Sequence, residues 1–162
     1  MPARQCFRLS SNNNPHVIWT ALRKEISEIC EQLDISDELF APVSIQDWQK
    51  IQNKIFEKFT YPDYLGRISE RLKGDTYSIQ SHYIYPFDQL LNLIDHSEKI
   101  WLFLNETVVE FDKYWFCDGY IKEIVLILRE TMRSDEVYIV SKKYEWLLCS
   151  MITTILLQPE IR

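Results

Sequence analysis

Glu110 and Asp112 are the residues best spaced for chemistry. They stand two apart in a strand-like stretch, so their side chains point the same way. A carboxylate pair on one face can bind a cation or divide the roles of acid and base, and the same spacing equally suits a solvated strand face. His82, next to Tyr83, is placed where it could act as a base. Like His16 and His96 it stands alone in the chain, and a lone histidine is as readily a packed or surface residue. There is no glycine-rich phosphate loop, no Gly-x-Ser-x-Gly elbow and no His-Glu-x-x-His helix. Cys6, Cys30, Cys117 and Cys149 are scattered, without a Cys-x-x-Cys pair or a histidine at ligand spacing. Reduced thiols packed as small hydrophobes are therefore expected, with no metal, no cofactor and no catalytic residue.

Around the carboxylate pair lies an aromatic run. Trp101, Phe103, Phe111, Tyr114, Trp115, Phe116 and Tyr120 are interleaved with Glu106, Glu110, Asp112 and Asp118. Apolar anchors beside like-signed carboxylates suit a protein partner with a basic face. The expected partner-binding set is Glu106, Glu110, Asp112, Trp115, Asp118 and Tyr120. Strand parity puts Trp101 with Phe103 on one face, as it does Tyr114 with Phe116, and leaves Phe111, Lys113, Trp115 and Cys117 on the other. With one helix to cover one face, roughly three to five of these rings are expected in the core.

The elements that must position this run follow from composition and periodicity. A length of 162 residues, 46% of them hydrophobic, suits one domain with a sizeable core. The net charge of −6 is uneven: residues 1–75 hold ten basic and eleven acidic side chains, residues 76–162 eight and thirteen. That disfavours nucleic acid or an anionic membrane as direct ligand, since both call for clustered Lys or Arg. The first residues lack the apolar segment of a secretory signal, and no run is long enough to span a bilayer, so a cytoplasmic protein is expected.

Residues 1–15 read as a flexible segment and 16–162 as one α+β domain, with a helical part at 16–74 and a sheet part at 75–157. Asn14 and Pro15 suit the start of a first helix carrying Ile18, Leu22, Ile26, Ile29 and Leu33. Ser44 and Asp47 look like a capping box for a second, with Trp48, Ile51, Ile55 and Phe59 as its buried stripe. A third, shorter helix through Leu65, Ile68 and Leu72 ends at Gly74. Strands are then expected at 77–83, 99–104, 108–117, 136–140 and 144–149, with a short helix opened by Pro86 and another at 121–132 after a turn at Asp118-Gly119.

The segment Tyr138-Ile139-Val140-Ser141-Lys142-Lys143-Tyr144-Glu145-Trp146-Leu147-Leu148-Cys149, with Lys113-Tyr114-Trp115-Phe116 and Gly119-Tyr120-Ile121-Lys122 before it, resembles a family of small uncharacterised bacterial cytosolic proteins, similar to the broad SUKH-type group. The resemblance covers residues 98–149. It implies an immunity protein that protects bacteria against secreted or contact-delivered toxins. In that family the Leu-Leu-Cys strand runs into a polar segment with consecutive histidines, whereas this chain continues Ser150-Met151-Ile152-Thr153-Thr154-Ile155. A terminal strand suits these β-branched residues, and a frameshifted tail is the alternative reading.

Taken together, the expectation is three N-terminal helices on an antiparallel sheet of about five strands. Its function would be that of an acidic inhibitor, monomeric or homodimeric, that occludes a basic toxin domain such as a nuclease. The alternatives are a small enzyme using Glu110 and Asp112, and an adaptor that self-associates through the sheet.

Overall fold

The computed structural model describes residues 21–62, 67–80, 85–106, 114–131, 136–151 and 154–159. The chain has the expected α+β architecture with an antiparallel sheet. Its strands are β1 (Phe40–Pro42), β2 (Tyr77–Gln80), β3 (Lys99–Asn105), β4 (Tyr114–Tyr120), β5 (Glu136–Ser141), β6 (Trp146–Met151) and β7 (Thr154–Pro159). They lie side by side in the order β1-β4-β3-β5-β6-β7-β2. The five strands read from the sequence are joined by the short edge strand β1 and by β7, the expected terminal strand, which pairs with both β6 and β2.

Strand alternation builds two separate cores. In β3 the even positions Ile100, Leu102 and Leu104 face one way, with Trp115 and Cys117 of β4 and Val137 and Ile139 of β5. Phe103, Tyr114, Phe116, Tyr138, Val140, Leu147 and Cys149 face the other. The aliphatic face is covered by helices α1 (Ala21–Gln32) and α4 (Ile121–Glu130), with Leu90 of the short helix α3 (Leu90–Leu93). Helix α2 (Ile45–Phe59) covers the aromatic face through Ile51, Ile55 and Phe59. Among the described rings, Phe103, Tyr114, Trp115 and Phe116 are buried, within the expected range. Cys30, Cys117 and Cys149 are buried free thiols packed in these cores.

The expected helical lobe at 16–74 does not form as a unit. Helices α1 and α2 bury their stripes on opposite faces of the sheet, and the chain passes between them along the sheet edge as β1. Within the expected third helix only a single 3-10 turn, Ile68–Glu70, is present among the described residues, ahead of Gly74 at φ 72°. Ser44 is the N-cap of α2, but its hydroxyl donates to the Asp47 carboxylate at 2.6 Å and makes no cap bond to the backbone. Gly119 is not a turn residue: β4 continues through it to Tyr120, opposite Ile100. A Cβ there would sit 2.7 Å from Phe40 Cδ2 and 3.1 Å from the carbonyl oxygen of Leu39 just ahead of β1, so glycine alone fits without displacing the Phe40 ring.

Helix α1 ends in a Schellman motif. Asp34 takes φ 54°, its N–H reaches the Glu31 carbonyl at 3.3 Å, and the Ile35 N–H reaches the Cys30 carbonyl at 2.9 Å. The motif tucks Ile35 into the aliphatic core and aims the chain at the sheet edge.

Candidate interaction surface

The expected acidic and aromatic set divides three ways. Glu106 and Trp115 are buried, which corrects their expected place on a partner-facing surface. The Glu106 side chain has 0% exposure because Arg23 of α1 grips it with both arms of the guanidinium, Nε to Oε2 at 2.8 Å and Nη2 to Oε1. The same guanidinium stacks over Trp115, 5.3 Å from its ring centre, so acid, base and ring form one interior clamp. Glu110 and Asp112 lie outside the described residues, as do His16, His82 and Phe111. Only Asp118 and Tyr120 remain partly exposed, at the end of β4 that pairs with β1. Asp118 holds Lys142 at 2.7 Å, and Lys99 lies 5.4 Å from the centre of the Tyr120 ring.

A buried polar group also lies on the aromatic face. The Tyr138 hydroxyl donates to Glu136 at 3.0 Å, Asn105 Nδ2 donates to the same oxygen at 3.4 Å, and Arg67 Nε approaches the other oxygen at 3.0 Å without hydrogen-bond alignment. Burial pushes the Cys149 thiol up to about 12, and the Tyr138 and Ser69 hydroxyls, which favour the thiolate, do not offset it. Burial pushes the Tyr138 phenol up as well, helped by the negative charges of Cys149 and Glu136. An activated nucleophile needs the opposite shift. This group is therefore suited to packing and hydrogen bonding, not to attack on a substrate.

The surface that sequence reasoning missed is the corner where the chain changes faces. From Glu25 to Asp47 there are seven carboxylates and no Lys, Arg or His. Glu31, Asp34, Asp37, Glu38 and Asp47 are exposed, and so are three large apolar residues of the same stretch, Leu33, Leu39 and Ile45. Asp118 and Tyr120 adjoin it, since Ala41 pairs with Asp118 and the Tyr120 N–H donates to the Leu39 carbonyl at 3.2 Å. The signal was in the sequence. Counting charge over residues 1–75 hid it, because basic residues on either side nearly cancel the carboxylates of 25–47.

The model of a family of unknown function, DUF6756, matches residues 18–157, from just before α1 through most of β7. The chain belongs to that family. The match takes in both covering layers of the sheet and the acidic corner alike. No curated protein and no solved structure matches the chain. Among the described residues no helix is long and apolar enough to cross a membrane, and no group of three or more His, Cys, Asp or Glu is placed to hold a metal ion.

Proposed function

We propose that this protein is a non-catalytic binding protein of the bacterial cytoplasm, an immunity or inhibitor protein that neutralises a basic toxin domain by covering its working surface. The observation that carries the reading is the exposed run of carboxylates and apolar side chains between Glu31 and Asp47, uninterrupted by a cation. Such a surface attracts a basic partner over distance and then excludes water from the contact. The upward shifts at Cys149 and Tyr138 support a binding role over a catalytic one, since they hold both groups in their neutral forms. The partner chemistry is that of a domain rich in Lys and Arg, as a nuclease domain is where it meets phosphates.

The test uses the product of the gene immediately upstream. Mixed with the full chain, it is expected to form a complex whose association rate falls at least tenfold between about 50 and 500 mM salt, as steered encounters do. Co-expression should protect the cell, and Glu110→Gln or His82→Ala should leave that protection intact. Absence of a complex overturns the reading, and so does a substrate turnover that either substitution abolishes.

A further inference from the structure

We propose that the partner docks on the corner formed by the end of α1, β1 and the first turn of α2, through side chains and with Ile45 as its apolar anchor, and not by adding a strand to the sheet edge. This rests on the reading of the protein as a binder of basic partners, and it locates and types the contact. Ile45 is 79% exposed in the first turn of α2, outside the stripe of Ile51, Ile55 and Phe59 that holds the helix to the sheet. Leu39 is exposed immediately before β1. Leu39 precedes and Ile45 follows the edge strand Phe40–Pro42, so the two exposed apolar residues bracket it. Glu31, Asp34, Asp37 and Glu38 lie toward one end of this strip and Asp47 toward the other. Asp47 has Lys50 at 3.9 Å, so the charge offered to a partner is carried chiefly by Glu31, Asp34, Asp37 and Glu38, and exposed apolar groups beside such a cluster mark a docking surface better than either feature alone.

The edge itself is closed to strand addition. β1 pairs with β4 through Ala41, which leaves the backbone of Phe40 and Pro42 turned outward. The Phe40 N–H is already given to the Ser36 carbonyl at 3.1 Å, and Pro42 has no N–H to give. An incoming strand would therefore find acceptors and no donor along the whole of β1. The occupant that fits is a protein segment whose Lys and Arg side chains flank an apolar patch, seated on Ile45 and Leu39.

A synthetic amphipathic helix of Lys and Leu serves as the probe, with a Glu and Leu helix of equal length as control. Titrated into isotope-labelled full chain at low salt, the basic helix is expected to shift backbone amide signals at 31–47 and 118–120. Ile45→Ser should weaken its binding at least fivefold, and joint replacement of Glu31, Asp34 and Asp37 by Lys at least tenfold. Both sets of substitutions are at exposed positions, and an unchanged amide spectrum of the free variants checks that the fold is kept. Shifts centred elsewhere, equal binding of the acidic helix, or an affinity indifferent to Ile45→Ser overturns the proposal. If the corner binds the basic helix while the upstream gene product forms no complex, the surface stands and the toxin reading fails. If the upstream product binds with an affinity that the corner variants leave unchanged, the reverse holds.

Discussion

Two carboxylates sit back to back at one end of the sheet, and the structure holds them by different means. Glu106 follows β3 on the aliphatic face, and Glu136 begins β5 on the aromatic face, beside Asn105. Glu106 is wholly enclosed and paired with Arg23, itself only 22% exposed. Glu136 is nearly as buried, but its cation, Arg67, is 62% exposed, and a phenol and an amide share the oxygen that Arg67 does not face. On the aliphatic face one guanidinium meets both oxygens of the carboxylate. On the aromatic face tyrosines supply hydroxyls among stacked rings: Phe103 lies 4.7 Å from Tyr138 and 4.8 Å from Phe116, nearly parallel to both. The cation of Glu106 is itself largely buried, whereas that of Glu136 is mostly in water and a phenol and an amide stand beside the acid.

The largest expected effect tests the charged clamp. Arg23→Ala leaves the Glu106 carboxylate enclosed with its two-armed partner removed, and Trp115 loses the cation over its ring. Breaking a buried pair from one side costs about 3–5 kcal/mol, and the partial exposure of Arg23 places this case near the lower figure. Urea unfolding at neutral pH measures it. A cost under about 1 kcal/mol would mean that water reaches Glu106 and that the two carboxylates do not differ as described.

A smaller effect belongs to the aromatic face and shows itself through pH. In the folded chain the Cys149 thiol titrates near 12, whereas an unfolded cysteine titrates near its ordinary value of 9.0. The folded pKa is the raised one, so this contribution to stability is complete below the unfolded value and is lost as pH climbs toward the folded one. Between about pH 9 and 12 the unfolded chain releases the proton and the folded chain keeps it, which lowers stability by roughly 1.4 kcal/mol per pH unit for this one thiol. Unfolding followed from pH 8 to 10.5 is expected to steepen toward that slope above pH 9, and Cys149→Ala to make it shallower. An identical slope in the variant would show that the thiol is not sealed from water.

The sheet was largely legible because runs of aliphatic and aromatic residues stand between turn signals. Ile100-Trp101-Leu102-Phe103-Leu104 carries a further signal: an unbroken apolar run means a strand covered on both faces, whereas a sheet with one wet face alternates. That run foretells helices on both sides, and α1 and α2 accordingly part company. β1 was invisible because three residues ending in proline have no period to read, and their place at the edge is fixed by tertiary packing of Phe40 against Gly119. Of the expected site, Glu106 misled because an acid beside a strand end looks solvated. It is buried against Arg23, 83 positions away, a separation no local pattern conveys. The acidic corner was readable in principle, since its carboxylates and exposed aliphatics are contiguous in the chain.

The smallest expected effect sharpens the comparison from the other side. Arg67→Ala removes the cation of Glu136, yet the carboxylate keeps the Tyr138 hydroxyl at 3.0 Å and the Asn105 amide at 3.4 Å. Because Arg67 is mostly in water, its charge is screened and its long side chain loses rotamer freedom in holding the contact, so the pair is worth about 0–1 kcal/mol. In a domain of this length 1 kcal/mol moves the melting temperature by roughly 2–4 °C, and Arg67→Ala should stay within that shift while Arg23→Ala exceeds it severalfold. Parallel melts of the two variants read the difference directly. Equal losses would mean that Glu136 leans on its arginine as heavily as Glu106 does, and that the hydroxyl and amide beside it contribute geometry without holding the charge.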